Sequence, residues 1–294
     1  MRLPFRRGAA PPQPAPVRAA PDDGHRNDDH DGHALRAPTR LHAFNRYEIK
    51  YLVPSSRIPR LRRELAARLD HDSHGTDGSY GVWSVYYDSR DLRFYWEKIE
   101  GLRFRRKLRV RHYGDRFSVD GDTPVHIEIK QRVNRVTQKR RVALPYRLAR
   151  DLCDRRQPVE HAPAQRAFLE EVLELLSRLD LRAVAMTGYQ REAFVGRDAD
   201  TGLRVTMDHR VRGRDRDFHF AADAENRLVV PAGLSVVEFK ADERVPYWLT
   251  DLAAELNLSV VRVSKYCQAV EAFGRAPRSI FHIPDESPPN TPTT

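Results

Sequence analysis

Two stretches of strict alternation constrain this chain more than anything else in it. In KLRVRHYG (Lys107 to Gly114), Lys107, Arg109 and Arg111 fall on one side of a two-residue period, with Leu108 and Val110 on the other. In VHIEIK (Val125 to Lys130), His126, Glu128 and Lys130 oppose Val125, Ile127 and Ile129. That period belongs to a β-strand with two unlike faces. Long cations spaced two apart on neighbouring strands repel one another unless an anion lies between them. The polar face is expected to meet a polyanion.

The pattern recurs along the chain. FNRYEIKYLV (Phe44 to Val53) sets Arg46, Glu48 and Lys50 against Tyr47, Ile49 and Tyr51. QKRRVAL (Gln138 to Leu144) sets Lys139 and Arg141 against Arg140, Val142 and Leu144. LRVTMD (Leu203 to Asp208) sets Arg204, Thr206 and Asp208 against Leu203, Val205 and Met207. LSVVEFK (Leu234 to Lys240) places Glu238 and Lys240 opposite Val237 and Phe239. Further strands are expected at Trp83 to Asp88, at about 184–195 with Arg191, and at Ser259 to Val263. Amphipathic stretches predict helices at about 56–69, 146–153, 164–179 and 246–256, and from Ser264 to Phe273. Ser55 or Ser56 and Ser264 suit N-caps, and Pro246 suits a helix start.

About eight strands with one apolar and one ionic face suit closure into a barrel. Closure turns the ionic faces toward a common lumen and leaves the apolar faces to the helices. The expected fold class is α+β, an eight-stranded antiparallel β tunnel with a basic lumen and helices packed outside. The alternative is an open sheet whose ionic face is merely solvated. In the tunnel, the inward cations are Arg46, Lys50, Lys107, Arg109, Arg111, Lys130, Lys139, Arg141, Arg191, Arg204, Lys240 and Lys265. The inward anions are Glu48, Glu128, Asp208 and Glu238. Such a surplus cannot stay ionised without counter-charge, because desolvating each ion costs several kcal/mol. Phosphate supplies the charge, and arginine forks match its oxygens. The carboxylates are expected to hold a divalent cation, Mg²⁺ or Mn²⁺, bridging to phosphate. SKY (Ser264 to Tyr266) adds a helix start with a hydroxyl and an ammonium, a further place for an anion.

Net charge decides less than position. Lys and Arg number 51 against 41 Asp and Glu, but single-strand nucleic-acid binders interleave aromatics with their cations. Here Tyr47, Tyr51 and Phe239 fall on the opposite face, so no specific nucleic-acid partner is expected. With 31% charged residues, a mean hydropathy of −0.66 and no apolar run near the roughly 18 residues of a membrane span, the chain reads as soluble. Two cysteines, Cys153 and Cys267, show no CxxC and no paired framework. MRLPFRR lacks an apolar signal core, so a cytoplasmic location is expected. Residues 1–41 and 276–294 are Pro-rich and aperiodic, expected to be disordered tails around a folded part at 42–275. His25 to His33 (HRNDDHDGH) offers metal ligands, but in that setting it reads as a solvated polar tail. No feature names a protein partner.

Taken in order, RYEIKYLV, YYDS, KLRVRHYG, IEIKQR, the Arg of YQREAF, VVEFK and SKYCQAV resemble the VTC domain (vacuolar transporter chaperone). That domain is the polyphosphate-polymerase branch of the triphosphate tunnel metalloenzymes. The resemblance covers about residues 44–273. It implies a tunnel that binds the triphosphate of ATP and passes the γ-phosphate to a growing polyphosphate chain with a divalent metal. Carried over by position, Lys50, Arg109, Arg111, Lys130, Lys139, Arg191, Lys240 and Lys265 are implied as phosphate-binding cations in catalytic positions. Arg46, Lys107, Arg141, Arg204 and Ser264 are expected beside them on the substrate. Glu238 is implied as the metal carboxylate, with Glu128 and Glu48 expected to assist. The related CYTH-type hydrolases open with ExExK, whereas this chain reads Arg46-x-Glu48-x-Lys50; that departure leans toward the polymerase branch. A tunnel triphosphatase and a non-catalytic polyphosphate- or nucleotide-binding module are the alternatives. Eukaryotic VTC proteins add a membrane region and an inositol-phosphate sensor domain, neither expected in these 294 residues.

Overall fold

The computed structural model describes residues 47–73, 78–134, 136–242 and 244–284. Arg46, the 1–41 tail with His25 to His33, and residues 285–294 lie outside the described residues. The first half runs β1 (Tyr47–Pro54), α1 (Ile58–Ala66), β2 (Asp70–His71), β3 (Ser79–Asp88), α2 (Arg93–Ile99) and β4 (Phe104–Tyr113). A long hairpin follows, β5 (Pro124–Val133) and β6 (Val136–Pro145), then α3 (Tyr146–Cys153) and α4 (Arg166–Arg178). Next come β7 (Arg182–Val195), β8 (Arg204–Arg214), β9 (Arg227–Leu228) and β10 (Leu234–Ala241). The last elements are α5 (Tyr247–Glu255), β11 (Ser259–Val260) and α6 (Lys265–Ala272).

The strands form one antiparallel sheet in the order β11-β1-β10-β8-β7-β3-β4-β5-β6, with β2 on β7 and β9 on β8. Its edges, β11 and β6, are not joined among the described residues. The expected closed eight-stranded tunnel is thereby corrected to an open sheet of eleven strands, three of them only two residues long. Alternation records which face points inward but carries no information on whether the two edges meet.

The sheet is nevertheless strongly curled. β1 and β5 are six places apart in the sheet order, which in a flat sheet would be roughly 29 Å. Yet Lys130 Nζ of β5 lies 3.4 Å from Glu48 Oε2 of β1. Only a sheet rolled toward itself can make that contact. Its registers carry the two-residue period round the concave face: Glu48 faces Lys240 and Lys50 faces Glu238, while Lys240 faces Arg204. On the other side Arg109 faces Glu128 and Lys107 faces Lys130.

The convex face is apolar and helix-covered. Leu108, Val110, Ile127, Ile129 and Val142 pack with α3 and α4 residues such as Leu152, Leu169 and Val172. Tyr51, Val53, Val205, Met207, Val237 and Phe239 pack with Leu61 and Leu65 of α1 and Leu249 of α5. Each buried aliphatic side chain contributes about 1.5–3 kcal/mol of burial. One helix departs from the expectation that all helices lie outside. α6 sits on the concave face, where Tyr266 stacks on Tyr86 with ring centroids 5.0 Å apart. Buried Asp88 holds this end together, accepting from the backbone N–H of Phe94 and Tyr95 and from the Tyr266 hydroxyl.

Residues 276–284, assigned by composition to the C-terminal tail, are laid against α6. Gln268 exchanges two hydrogen bonds with the Ile283 backbone (3.0 and 3.1 Å). His282 Nδ1 lies 2.7 Å from Glu271 Oε2.

Candidate functional site

The concave face gathers most of the charged residues singled out by sequence, and they divide into two walls. The first is made by β1, β10, β8 and β7 with the start of α6. There Glu238 is buried among three ammonium groups: Lys240 at 2.5 Å, Lys50 at 3.3 Å and Lys265 at 3.3 Å. Lys50 also reaches Glu48 (3.2 Å) and donates to the Val263 carbonyl (3.3 Å). Fully buried Asp208 takes a two-pronged bond from Arg191 (2.6 and 2.8 Å) and a contact from Lys265 (2.5 Å). Lysines and carboxylates thus alternate across this wall.

These contacts decide the protonation states. Burial works against ionisation of Glu238, but Lys240, Lys50 and Lys265 hold it well below the usual carboxylate range. For Glu48, burial is outweighed by Lys50 and Lys130, giving a pKa of about 2. For Asp208, burial is outweighed by Arg191 and Lys265, again to about 2. Lys50 is raised despite burial by Glu238 and Glu48, and Lys265 despite burial by Asp208 and Glu238.

The second wall is made by β4, β5 and β6. Glu128, only 1% exposed, is its carboxylate, gripped by Arg109 (2.5 and 2.7 Å) and Lys139 (2.6 Å). Arg111 Nε donates to Ser84 Oγ (2.9 Å) and its Nη2 to the Tyr189 hydroxyl (3.3 Å). Lys107 Nζ donates to Ser264 Oγ (2.6 Å), tying this wall to the N-cap of α6. Lys130 and Lys139 face one another across β5 and β6, and burial lowers the pKa of both. Arg141 stands across from Glu128, exposed and without an ion pair among the described residues.

The structure therefore places fifteen of the sixteen proposed site residues on the two walls of the concave face. Arg204 points inward in the row of Glu48 and Lys240, but its guanidinium is engaged by Asp72 and Tyr80 at the rim. Arg46 lies outside the described residues. Polar residues of the site missed from sequence include Ser84, Tyr86, Tyr189 and Tyr113, whose ring lies 5.8 Å from the Arg111 guanidinium. Tyr86 accepts from Arg109 Nη1 (3.2 Å); burial would raise its pKa, but Arg109, Arg111 and Lys107 bring it down to about 7. The signal was present in WSVYYD, where Ser84 and Tyr86 alternate with Val85 and Tyr87, yet a run so rich in apolar residues reads as buried on both faces.

The three carboxylates proposed for a metal are not gathered. Glu48 and Glu238 converge on Lys50, whereas Glu128 is occupied by Arg109 and Lys139 on the other wall. Among the described residues no three His, Cys, Asp or Glu form a metal-binding group. A divalent ion that takes one or two carboxylates and fills its shell with phosphate oxygens and water fits Glu238 with Glu48 only where the lysines that engage both carboxylates turn to phosphate instead. The buried, unpartnered hydroxyl of Thr206 stands beside Glu238. An all-protein metal cage does not fit. No helix among the described residues is long and apolar enough to cross a membrane.

Comparison with known proteins follows the same stretch of chain. The vacuolar transporter chaperone complex subunit 4 of Trypanosoma cruzi (strain CL Brener) is 26% identical over 280 residues, covering 80% of this chain. Its counterpart in Trypanosoma brucei brucei is 25% identical over 279 residues. The chain spans 35% of the length of each relative. Among solved structures, a putative adenylate cyclase from Bacillus halodurans aligns at 13% identity with a TM-score of 0.45, covering 75% of this chain and 94% of that one. A Pyrococcus horikoshii OT3 protein aligns at 12% identity with a TM-score of 0.39, covering 77% and 99%. Likeness at that level carries no weight beside the sheet itself. The VTC domain family matches residues 45–273, the stretch that builds both ionic walls, and the chain belongs to that family.

Proposed function

We propose that this chain is an ATP-dependent polyphosphate polymerase whose concave face seats the triphosphate of ATP and the end of a polyphosphate chain. One observation carries the reading: the second wall faces Lys107, Arg109, Arg111, Lys130, Lys139 and Arg141 inward with Glu128 as their carboxylate. Such a wall is short of negative charge, and phosphate oxygens supply it. Family membership supports the reaction type.

The chemistry asked of the protein is mostly positioning and neutralisation. The acceptor is a terminal phosphate oxygen already ionised at neutral pH, so no general base is assigned. It attacks the γ-phosphorus in line; the bond from that phosphorus to the β–γ bridging oxygen breaks, and ADP leaves. Arg109 and Arg111, held by Glu128, Ser84 and Tyr189, meet the equatorial oxygens with forks already oriented. Lys50, Lys240, Lys265 and Arg191 are arranged by Glu238 and Asp208 to meet the flanking phosphates. Glu128 serves by fixing Arg109 and Lys139. A divalent ion, Mn²⁺ or Mg²⁺, held by Glu238 with Glu48 would neutralise phosphate charge when bound. Buried, unpaired Cys153 and Cys267 suit a reducing cytoplasm.

The test is incubation with ATP and Mn²⁺, with and without a short polyphosphate primer, following ADP, free phosphate and long polyphosphate separately. ADP matched by polyphosphate is the expected result. ADP matched by free phosphate would make the chain a triphosphatase. Tight binding without turnover would leave a binding module.

A further inference from the structure

The cations of the second wall continue beyond the site. One rung outward from the Lys107–Lys130 pair, Arg105 stands directly across from Arg132. Residues two apart on a strand share a face, so these arginines prolong the inward line of Arg109 and Lys107 to the rim. Like charges directly opposed in a sheet are destabilising, and here two successive rungs are built that way.

Their partners set them apart from the rest of the protein's arginines. Arg106, on the other face of the same strand, has Glu97 at 3.6 Å and packs over Phe104 and Phe94. Among the described residues, Arg105 and Arg132 have no carboxylate partner, and Arg132 Nε donates instead to the Asn134 carbonyl (2.9 Å). Lys98 of α2 lines a small cleft with Ser264, the hydroxyl that Lys107 holds. It forms no ion pair among the described residues, the Glu271 carboxylate of the same cleft being engaged by Tyr95 and His282. Burial together with Lys107 and Arg105 brings Lys98 down to about 8. Burial and then Arg132 lower Arg105.

We propose that Lys98, Arg105 and Arg132, continuing from Lys107 and Lys130, form a rim track for the extended part of a linear polyphosphate chain whose end lies in the lumen. The proposal rests on the reading under Proposed function and adds to it a length dependence. A triphosphate is held by the inner cations and gains nothing from the rim, whereas a long chain crosses both. The geometry favours polyphosphate over single-stranded nucleic acid: exposed Phe104 lies on the opposite face of β4 with Arg106 over its ring at 4.8 Å, and Tyr266 beside Lys107 is buried. Phe281, 5.9 Å from Lys98, is a single ring rather than the run of aromatics that successive bases need.

The test measures affinity of the full chain for tripolyphosphate, long-chain polyphosphate and a single-stranded oligonucleotide at fixed ionic strength. It compares the unaltered protein with Arg105→Gln/Arg132→Gln and Arg105→Lys/Arg132→Lys, each checked for folding by circular dichroism. The Gln pair should weaken long-chain binding about tenfold and flatten its salt dependence. Tripolyphosphate affinity should stay within about twofold, because the inner cations are intact. The Lys pair, which keeps the charge, should recover most of the loss. Equal weakening for both lengths, or none for either, would overturn the track while leaving the lumen as a phosphate site. An oligonucleotide bound as tightly as long-chain polyphosphate, and weakened as much by the Gln pair, would also overturn it. Failure of the unaltered protein to bind tripolyphosphate would instead sink the reading of the lumen.

Discussion

The two walls of the concave face are built from the same residue types and solve opposite problems. On the first, Lys50, Lys240, Lys265, Arg191 and Arg204 meet the carboxylates of Glu48, Glu238, Asp208 and Asp72. On the second, Lys107, Arg109, Arg111, Lys130, Lys139 and Arg141 have Glu128, with Glu48 of the first wall reaching across to Lys130. A wall that carries its own counter-ions is ordered before any ligand arrives. A wall short of them stores repulsion that an arriving anion relieves. The lysines do not divide in the same way: Lys50 and Lys265 are raised by their carboxylates, whereas burial lowers Lys240 on the first wall as it lowers Lys130 and Lys139 on the second. We read the first wall as the part that holds and aligns, and the second as the part that attracts.

That contrast can be broken by experiment. Arg109→Glu should have the largest effect, weakening ATP and tripolyphosphate at least about a hundredfold by calorimetry; ordinary affinity would show that the second wall is not the anion seat. Glu238→Gln should keep the fold but lower metal-dependent turnover by about a hundredfold. Its thermal midpoint should fall, because three ammonium groups lose their shared partner, and added tripolyphosphate should restore it. Unchanged turnover would remove Glu238 from the site. Asp208→Asn should cost about 3–5 kcal/mol of stability in a denaturant titration, since it strands buried Arg191 and Lys265.

A smaller effect follows from pH. The folded values of Glu48 and Asp208, about 2, lie below their ordinary 4.5 and 3.8. The folded state therefore binds these protons less readily than the unfolded chain. Their stabilisation is full above about pH 4.5 and is lost as pH falls toward about 2. Thermal midpoints of the unaltered protein and of Asp208→Asn should converge through that window. At the alkaline end the sign reverses for the second wall. Lys130 and Lys139 lose charge before an ordinary lysine does, so tripolyphosphate affinity should decline ahead of pH 10.5. The smallest effect belongs to Arg204→Gln, about twofold on binding, because Asp72 already engages its guanidinium. A large loss there would move Arg204 into the seat.

Much of this was legible in the chain because strand alternation has a period that any reader can follow. Arg109, Lys130, Lys139 and Glu238 are inward in the structure for the same reason they are inward in the sequence. Closure was not legible, since nothing local tells β6 and β11 whether to meet. α2 went unread because in RFYWEKI the buried set, Phe94, Tyr95 and Glu97, mixes a carboxylate with aromatics and gives no clean stripe. The partnership of Lys265 with Asp208 (2.5 Å) joins a helix start to a strand far back in the chain. Only the fold can bring them together.

The segment that leans on α6 deserves a mechanical reading. Glu271 and Gln268 are almost fully buried, and their partners are Tyr95, His282 and Ile283. The helix they fasten begins with Lys265, whose ammonium sits between Asp208 and Glu238. A chain trimmed where the family match stops, at residue 273, would keep every cation of both walls and lose the latch. On the proposed reading, slack in that helix would reach Lys265 as misalignment against the bound anion, and the precision of the first wall would be set from the rear of the molecule.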